Sequence, residues 1–498
     1  MATGISHRML RGAGWMVLFK LVERSLGLVS TLILLRLLAP DDFGLVAMAT
    51  SFIVMAELLT AFGFDVALIQ NRGATERHYH AAWTCNVLLG GTIGALMIAL
   101  AIPIAEFYHQ PALRWVVCLL ALGPAIGGLE NVGVVAFRKE LDFRREFVFQ
   151  LLKKAIGFLI TVPLAFWLRD YRALVFGMLA SRLTGTGISY LLHGFRPRFS
   201  LQGAGDILHF SKWLLASNVL AFMKERSTDL VLGRLRGAGE LGMYSVSYEF
   251  ANLPTTELSA PINRALLPGF ARLAADAAAL RAAYTGAMGM LAALAIPAAA
   301  GIWSLSDLIV PVVLGRKWLG AVPLMQILAL YGSLQMLHSS MCAVLIGAGH
   351  PRSVAKGNAW FVFFLLALMA ALVPAMGATG AALAILAATV LATPVYLAEL
   401  RRHAGIPASA FLRATERPLL AAVAMATLLR LLVPAWNPEM SQFHAATLLC
   451  GGVVAGMIFY AAALLALWAA MRRPPGVEQM ALQRAQALFR SLRGRGAS

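Results

Sequence analysis

Apolar stretches of about twenty residues recur along the whole chain with only short polar turns between them, and that recurrence leaves few folds open. A helix crossing the hydrocarbon core of a bilayer needs about 20 mostly apolar residues. Only helices and closed barrels satisfy their backbone hydrogen bonds there. About fourteen stretches meet the length rule, starting near Gly14, Phe43, Ala82, Leu113, Phe147, Arg172, Phe210, Glu240, Tyr284, Leu319, Val354, Gly377, Pro418 and Phe443. Of the 498 residues, 59% are hydrophobic and 13% charged, against about 25% charged in soluble domains. The sequence therefore predicts an all-α polytopic membrane protein. The eleventh and twelfth segments meet in a very tight turn at Val373-Pro374-Ala375-Met376-Gly377, and no loop is long enough for a soluble domain.

The formal net charge is +18, but the basic residues are spread over short loops and form no nucleic-acid-binding surface. They act instead as topology signals. With the N-terminus in the cytoplasm, Arg72, Arg77, Arg138, Lys139, Arg144, Arg145, Arg196, Arg198, Arg401, Arg402 and the arginines of the tail all fall on the cytoplasmic side. The opposite loops hold few, among them Arg114, Arg169, Arg234 and Arg316. That bias predicts an even number of spans with both termini cytoplasmic. The start of the chain shows no small-residue cleavage site of the kind that marks a removable signal peptide. Cys85, Cys118, Cys342 and Cys450 lie in apolar segments without metal-type spacing, so neither a disulfide framework nor a metal site is expected. Phosphate-loop, nucleophile-elbow and zinc-helix signatures do not occur, and the expectation is a non-enzyme without a cofactor.

The chain also repeats itself. Residues 15–68 align without a gap on 213–266, pairing Trp15 with Trp213, Arg36-Leu37 with Arg234-Leu235, Gly44 with Gly242 and Phe52 with Phe250. Such repeats are common in secondary transporters, where the cargo site lies between the halves. Six segments separate the copies, so both copies share one orientation in the membrane. The expected organisation is a six-helix bundle over 1–205, a second over 206–404, two further spans over 405–473 and a basic tail over 474–498. That tail suits either a helix on an anionic membrane surface or a disordered segment.

Charged residues inside the apolar segments point to function. Each costs about 2.5–3.5 kcal/mol on insertion scales, so such groups face a polar interior. In the first segment Lys20, Arg24 and Thr31 share a helical stripe, with Glu23 beside them. The seventh carries Asn218, Lys224, Glu225, Arg226 and Asp229. The eighth carries Glu249, Asn252, Thr256, Ser259 and Asn263 on one face, and the tenth carries Tyr331, Gln335 and His338. Glu57, Asp65 and Asp229 are candidate ion-coupling sites. A structural reading stands beside each of these: Lys20–Glu23–Arg24 and Lys224–Glu225–Arg226 can neutralise themselves, and His338 suits a satisfied core position.

The run Arg36-Leu-Leu-Ala-Pro-Asp-Asp-Phe-Gly, continued to Phe64-Asp-Val-Ala-Leu-Ile-Gln, resembles the polysaccharide-exporter branch of the multidrug/oligosaccharidyl-lipid/polysaccharide transporter superfamily. Its echo at Arg234-Leu-Arg-Gly-Ala-Gly-Glu-Leu-Gly-Met-Tyr and the Gly-Ala-Gly-His-Pro-Arg turn at 347–352 fit the same family. The resemblance implies a flippase that moves undecaprenyl-pyrophosphate-linked oligosaccharide across the bacterial plasma membrane by alternating access. Lipid-linked oligosaccharide, membrane lipids and other polysaccharide-assembly proteins would be its partners. Lys20, Arg24, Lys224 and Arg226 would then hold the pyrophosphate as charge-assisted donors. Thr31, Asn218, Glu249, Asn252, Thr256, Asn263 and Gln335 would line the polar path. Two rival classes remain: a cation-coupled drug extruder of the same superfamily, and a non-transporting scaffold or membrane-embedded polymerase.

Overall fold

The computed structural model describes residues 22–59, 75–140, 142–202 and 212–471, with Phe64, Leu68 and Gly73 between. Lys20, Asp65 and the basic tail lie outside the described residues, as does the side chain of Asn218. Every regular element among the described residues is helical. Contacts divide the chain into two compact units, Met1–Gly242 and Met243–Ser498.

In the first unit, α1 covers residues 22–37 and α2 Pro40–Leu59. Asp42, in the first turn of α2, decides how these helices join. One carboxylate oxygen accepts the Ala39 N–H at 2.8 Å, and the other accepts the Tyr171 N–H at 2.9 Å. The acidic turn thus starts α2 and ties it to a connection more than a hundred residues away. Next comes α3 (Glu76–Tyr108), which packs on α4 (Leu113–Leu120) and α5 (Leu122–Gly128). The chain then bends by 63° into a short helical turn and α6 (Val135–Lys139). Asn131 holds the bend. Its Oδ1 accepts the Gly133 N–H at 2.9 Å, and its amide donates to the Phe195 carbonyl at 2.8 Å. The antiparallel pair α7 (Phe143–Leu168) and α8 (Arg172–Leu192) follows, then α9 (Lys212–Arg236), which packs on α2. The repeat pattern assigns α9 to the second bundle; by packing it belongs with the first unit.

Gly44 and Gly242 show why the aligned copies need glycine at this register. A Cβ on Gly44 would collide with the Ala238 carbonyl, and a Cβ on Gly242 would collide with the Pro40 carbonyl. Pro40 aligns with Ala238 and Gly44 with Gly242 at the same offset, so the two collisions are images of one another. The first turn of α10 (Ala238–Leu273) therefore lies backbone to backbone on the first turn of α2.

The second unit holds the rest of α10, then α11 (Ala277–Ile309), α12 (Val322–Gly347), α13 (Pro351–Ala404), α14 (Ala408–Leu432) and α15 (Gln442–Ala470). A straight helix of 54 residues would run about 81 Å, far beyond a hydrocarbon core of about 30 Å. Gly377 breaks it with φ 59° and ψ −134°, a conformation that side chains beyond glycine rarely adopt. The expected tight turn is there, and α13 is two helices. A Cβ on Gly380 would meet the Leu372 carbonyl, which fixes how tightly the two arms fold together.

Six helices among the described residues are individually long and apolar enough to cross a membrane, and the bent α4–α6 segment passes the same test as a pair. Large apolar side chains such as Trp167, Leu191 and Phe443 are at least 80% exposed. Soluble proteins rarely show contiguous apolar surface of that kind, and lipid is the environment that accepts it.

Candidate functional site

Charged side chains inside the first unit come together on an apolar scaffold. Glu57 on α2 faces Arg182 on α8, with Oε1 at 3.3 Å from Nη2. Glu130, at the bend after α5, accepts from Lys153 Nζ of α7 at 2.9 Å. Glu23 on α1 lies 3.6 Å from Lys154 Nζ. Buried Glu146 accepts from Gln150 at 3.1 Å and sits 3.5 Å from Arg138. Glu57, Glu130, Arg138, Lys153 and Arg182 line a cleft of about 370 Å³, together with Asn86, Asn131 and apolar residues of α3 and α5. Three cations and two carboxylates line it, and the third cation, Arg138, has Glu146 as its partner just outside the lining, so the charges balance.

The first two pairs are partly solvated, so their attraction is modest; exposed pairs contribute about 0.2–1 kcal/mol. Their importance lies in where they stand. Lipid offers no compensation for an isolated charge, so each of these groups depends on its partner or on water in the cleft.

On α9, Asp229 is buried and doubly held. Its Oδ2 accepts from Ser51 Oγ at 2.9 Å and from Arg226 Nη1 at 3.1 Å. Arg226, expected as an anion donor, thus has an internal carboxylate partner one helical turn away. Removing that carboxylate leaves the half-buried guanidinium without this partner and the buried Ser51 hydroxyl without this acceptor, and an unsatisfied buried polar group costs about 1–3 kcal/mol. Asp229→Ala is expected to lower the Tm of the purified protein by roughly 5 °C, and Asp229→Asn by less, because Ser51 keeps an acceptor. Differential scanning fluorimetry checks both. Lys224 is half-buried on the same helix, and Arg24 and Thr31 are half-buried on α1.

The polar face expected on the eighth segment lies in the second unit, on α10. Asn252 is buried and donates to the Tyr248 carbonyl at 2.8 Å. Asn263 donates to Ser339 Oγ of α12 at 2.9 Å and to Ser259 Oγ at 3.1 Å. Thr256 donates to the Asn252 carbonyl at 3.0 Å, and both Thr256 and Glu249 are exposed. Gln335 is half-buried on α12. His338 holds Thr393 Oγ1 at 2.8 Å and is buried, the satisfied core histidine expected as its bland reading.

An apolar groove of about 910 Å³ runs along α11, α12, α13 and α14, lined by residues such as Leu334, Val390, Leu412, Leu419 and Val423. Arg430 marks one end. It pairs with Asp307 at 2.5 Å, donates to the Trp303 carbonyl at 3.0 Å and lies over the Trp303 ring.

The sequence does not single out the adjacent Lys153 and Lys154, or Arg182, each in the middle of a long, mostly apolar helix. The usable signal was the cost of placing any charge there. His193, just past α8, has its pKa lowered by burial; as a neutral ring its Nδ1 accepts the Phe195 N–H at 3.1 Å. It belongs to the Asn131 bend behind the cleft wall and is not among the lining residues.

A membrane-embedded, all-helical scaffold with paired charges inside it defines a transporter-type protein. Residues 33–323 match the family model described as "Polysaccharide biosynthesis protein", and the chain belongs to that family. It is 26% identical to the lipopolysaccharide biosynthesis protein WzxC of Escherichia coli K12, over 73% of this chain and 74% of WzxC. It is 25% identical to the teichuronic acid biosynthesis protein TuaB of Bacillus subtilis, over 69% of this chain and 72% of TuaB. The succinoglycan biosynthesis transport protein ExoT of Rhizobium meliloti is 26% identical, over 68% of this chain and 69% of ExoT. In fold it is similar to the lipid II flippase MurJ in an inward closed conformation, with a TM-score of 0.71 at 13% identity, covering 92% of this chain and all of MurJ's. An inward-facing multidrug resistance transporter of the MATE family, itself a member of the MOP superfamily, matches in fold with a TM-score of 0.54 at 14% identity, covering 83% of this chain and 96% of that one.

Proposed function

We propose that the protein is a flippase. It carries oligosaccharide linked to a polyprenyl pyrophosphate from the inner to the outer leaflet of the bacterial plasma membrane, for the synthesis of a surface polysaccharide. The observation that carries this reading is the cleft in the first unit, where Glu57, Glu130, Arg138, Lys153 and Arg182 converge inside a bundle that is otherwise apolar. A span built only as an anchor has no use for such groups. The cleft's guanidinium and ammonium groups are donors of the kind that hold a pyrophosphate, each now resting on a carboxylate: Arg182 on Glu57, Lys153 on Glu130 and Arg138 on Glu146. The apolar groove along α11–α14, within the second unit, is of a kind that suits a hydrocarbon chain.

The same reading includes fourteen crossings with both termini cytoplasmic, two repeated bundles divided near residue 205, and two added spans over 405–473. Lys20, Arg24, Lys224 and Arg226 would assist the headgroup's passage, and Thr31, Asn218, Glu249, Asn252, Thr256, Asn263 and Gln335 would meet sugar hydroxyls. Glu57, Asp65 or Asp229 would couple the step to a cation. The protein would be a carrier without catalytic chemistry, acting beside other polysaccharide-assembly proteins.

A deletion strain tests this. Polyprenyl-pyrophosphate-linked sugars are extracted from spheroplasts treated with an impermeant glycan-modifying reagent. The expected result is accumulation of completed repeat units protected from the reagent. Units exposed on the outer face, or no accumulation, would overturn the flippase reading and favour the drug-extruder or scaffold class.

A further inference from the structure

We propose that the end of the second unit, where α12 meets α13 and α13 meets α14, binds an anionic phospholipid of the surrounding membrane. Its phosphate would sit in a basic pocket and an acyl chain in an adjoining apolar groove. The pocket measures about 530 Å³ and is lined by His350, Arg352, Lys356, Glu399, Arg402 and His403. Its one carboxylate is neutralised from within: Lys356 Nζ donates to Glu399 Oε1 at 2.7 Å, and His403 Nε2 lies 3.4 Å from Oε2. Arg352 and Arg402, both exposed, therefore leave the pocket with a positive balance. The His350 and His403 rings lie 4.3 Å apart and add ring N–H donors. Guanidinium groups hold phosphate oxygens bidentately, which makes this a strong recognition set for a phosphate ester.

A second cavity, of about 860 Å³, shares Arg402 as a wall. Pro394, Leu397, Ala398 and Pro407 line it, together with Arg401. Basic pocket and apolar groove thus meet at one arginine, and a ligand filling both must carry a phosphate next to a hydrocarbon chain. A free phosphate ion would use only the first cavity. Basic pockets between spans on the cytoplasmic side are sites where acidic headgroups gather, and the loop-charge pattern puts this end there. The site lies in the second unit, apart from the charged cleft, and does not depend on the cargo being a polyprenyl pyrophosphate.

The test uses the full-length protein in nanodiscs of phosphatidylcholine with or without phosphatidylglycerol, read by Tm. The wild type is expected to gain several degrees with phosphatidylglycerol. Arg352→Gln combined with Arg402→Gln should lose most of that gain while matching the wild type in phosphatidylcholine alone. Ala398→Trp, which fills the groove and leaves the pocket intact, should also lose it. Inorganic phosphate added to phosphatidylcholine discs should give no comparable rise. The proposal is overturned by an equal gain in the arginine variant or by no gain in the wild type. An equal rise with inorganic phosphate would also overturn it, because the pocket would then be a site for the free anion alone.

Discussion

Gly44→Ala is expected to cost the protein about 3 kcal/mol or more and to remove most of the well-folded material from detergent extracts. The added methyl group would have to share space with the Ala238 carbonyl, and backbone on both sides leaves no flexible side chain to give way. Overpacking in a close-packed interior costs typically about 1–3 kcal/mol where side chains can adjust; here α2 and the first turn of α10 must separate. Gly242→Ala should fail in the same way, because its methyl would meet the Pro40 carbonyl. Gly27 on α1 is the control. A Cβ there has nothing within 4 Å, so Gly27→Ala should be neutral or slightly stabilising through helix propensity, worth up to about 1 kcal/mol. Size-exclusion chromatography and thermal melts of the three variants decide the matter. A monodisperse Gly44→Ala protein with an unchanged Tm would refute this account of the contact.

The second large effect is expected at Lys153. If the cleft carries an anionic headgroup, Lys153→Met should reduce polysaccharide export at least tenfold, since a factor of ten corresponds to about 1.4 kcal/mol of lost interaction. The same substitution leaves Glu130 without its cationic partner and costs stability as well, so the single variant cannot separate binding from folding. Exchanging the charges does so. Lys153→Glu with Glu130→Lys restores an ion pair at the same place but moves the cation from α7 to the bend after α5. A purely structural pair predicts recovery of both Tm and export. A headgroup site predicts recovery of Tm with export still low, measured as surface polysaccharide in a complemented deletion strain.

The helices were open to reading because bilayer thickness sets their length, and a residue such as Gly377 marks a turn through its own backbone chemistry. The acidic run after Arg36 was equally visible. Its role became clear only once Asp42 was seen to accept the N–H of Tyr171, a partner with no signal in the neighbouring sequence. The cleft follows the same rule. Glu57 stood out as a charge in an apolar segment, yet Arg182, its partner, lies 125 positions away on another long helix. Periodicity reports which residues share a face of one helix. It is silent on which faces meet, and that choice depends on close approaches such as those of Gly90 and Gly128, where α3 and α5 nearly touch. Arg226 shows a local partner that the sequence does place within reach. It was conspicuous as an intramembrane cation, but Asp229 one turn further on uses it within α9.

The reciprocal contact of Gly44 and Gly242 bears on where such a chain came from. A patch in which residue i meets j while the counterpart of j meets the counterpart of i is the signature of an isologous, two-fold interface. In a single polypeptide it is best understood as the fused remnant of a homodimer, whose two identical helix starts once pressed their glycines against each other's carbonyls. Neither glycine could drift, because each is required by the other copy's backbone. The repeat is therefore held in register by a constraint on shape, which outlasts resemblance in sequence.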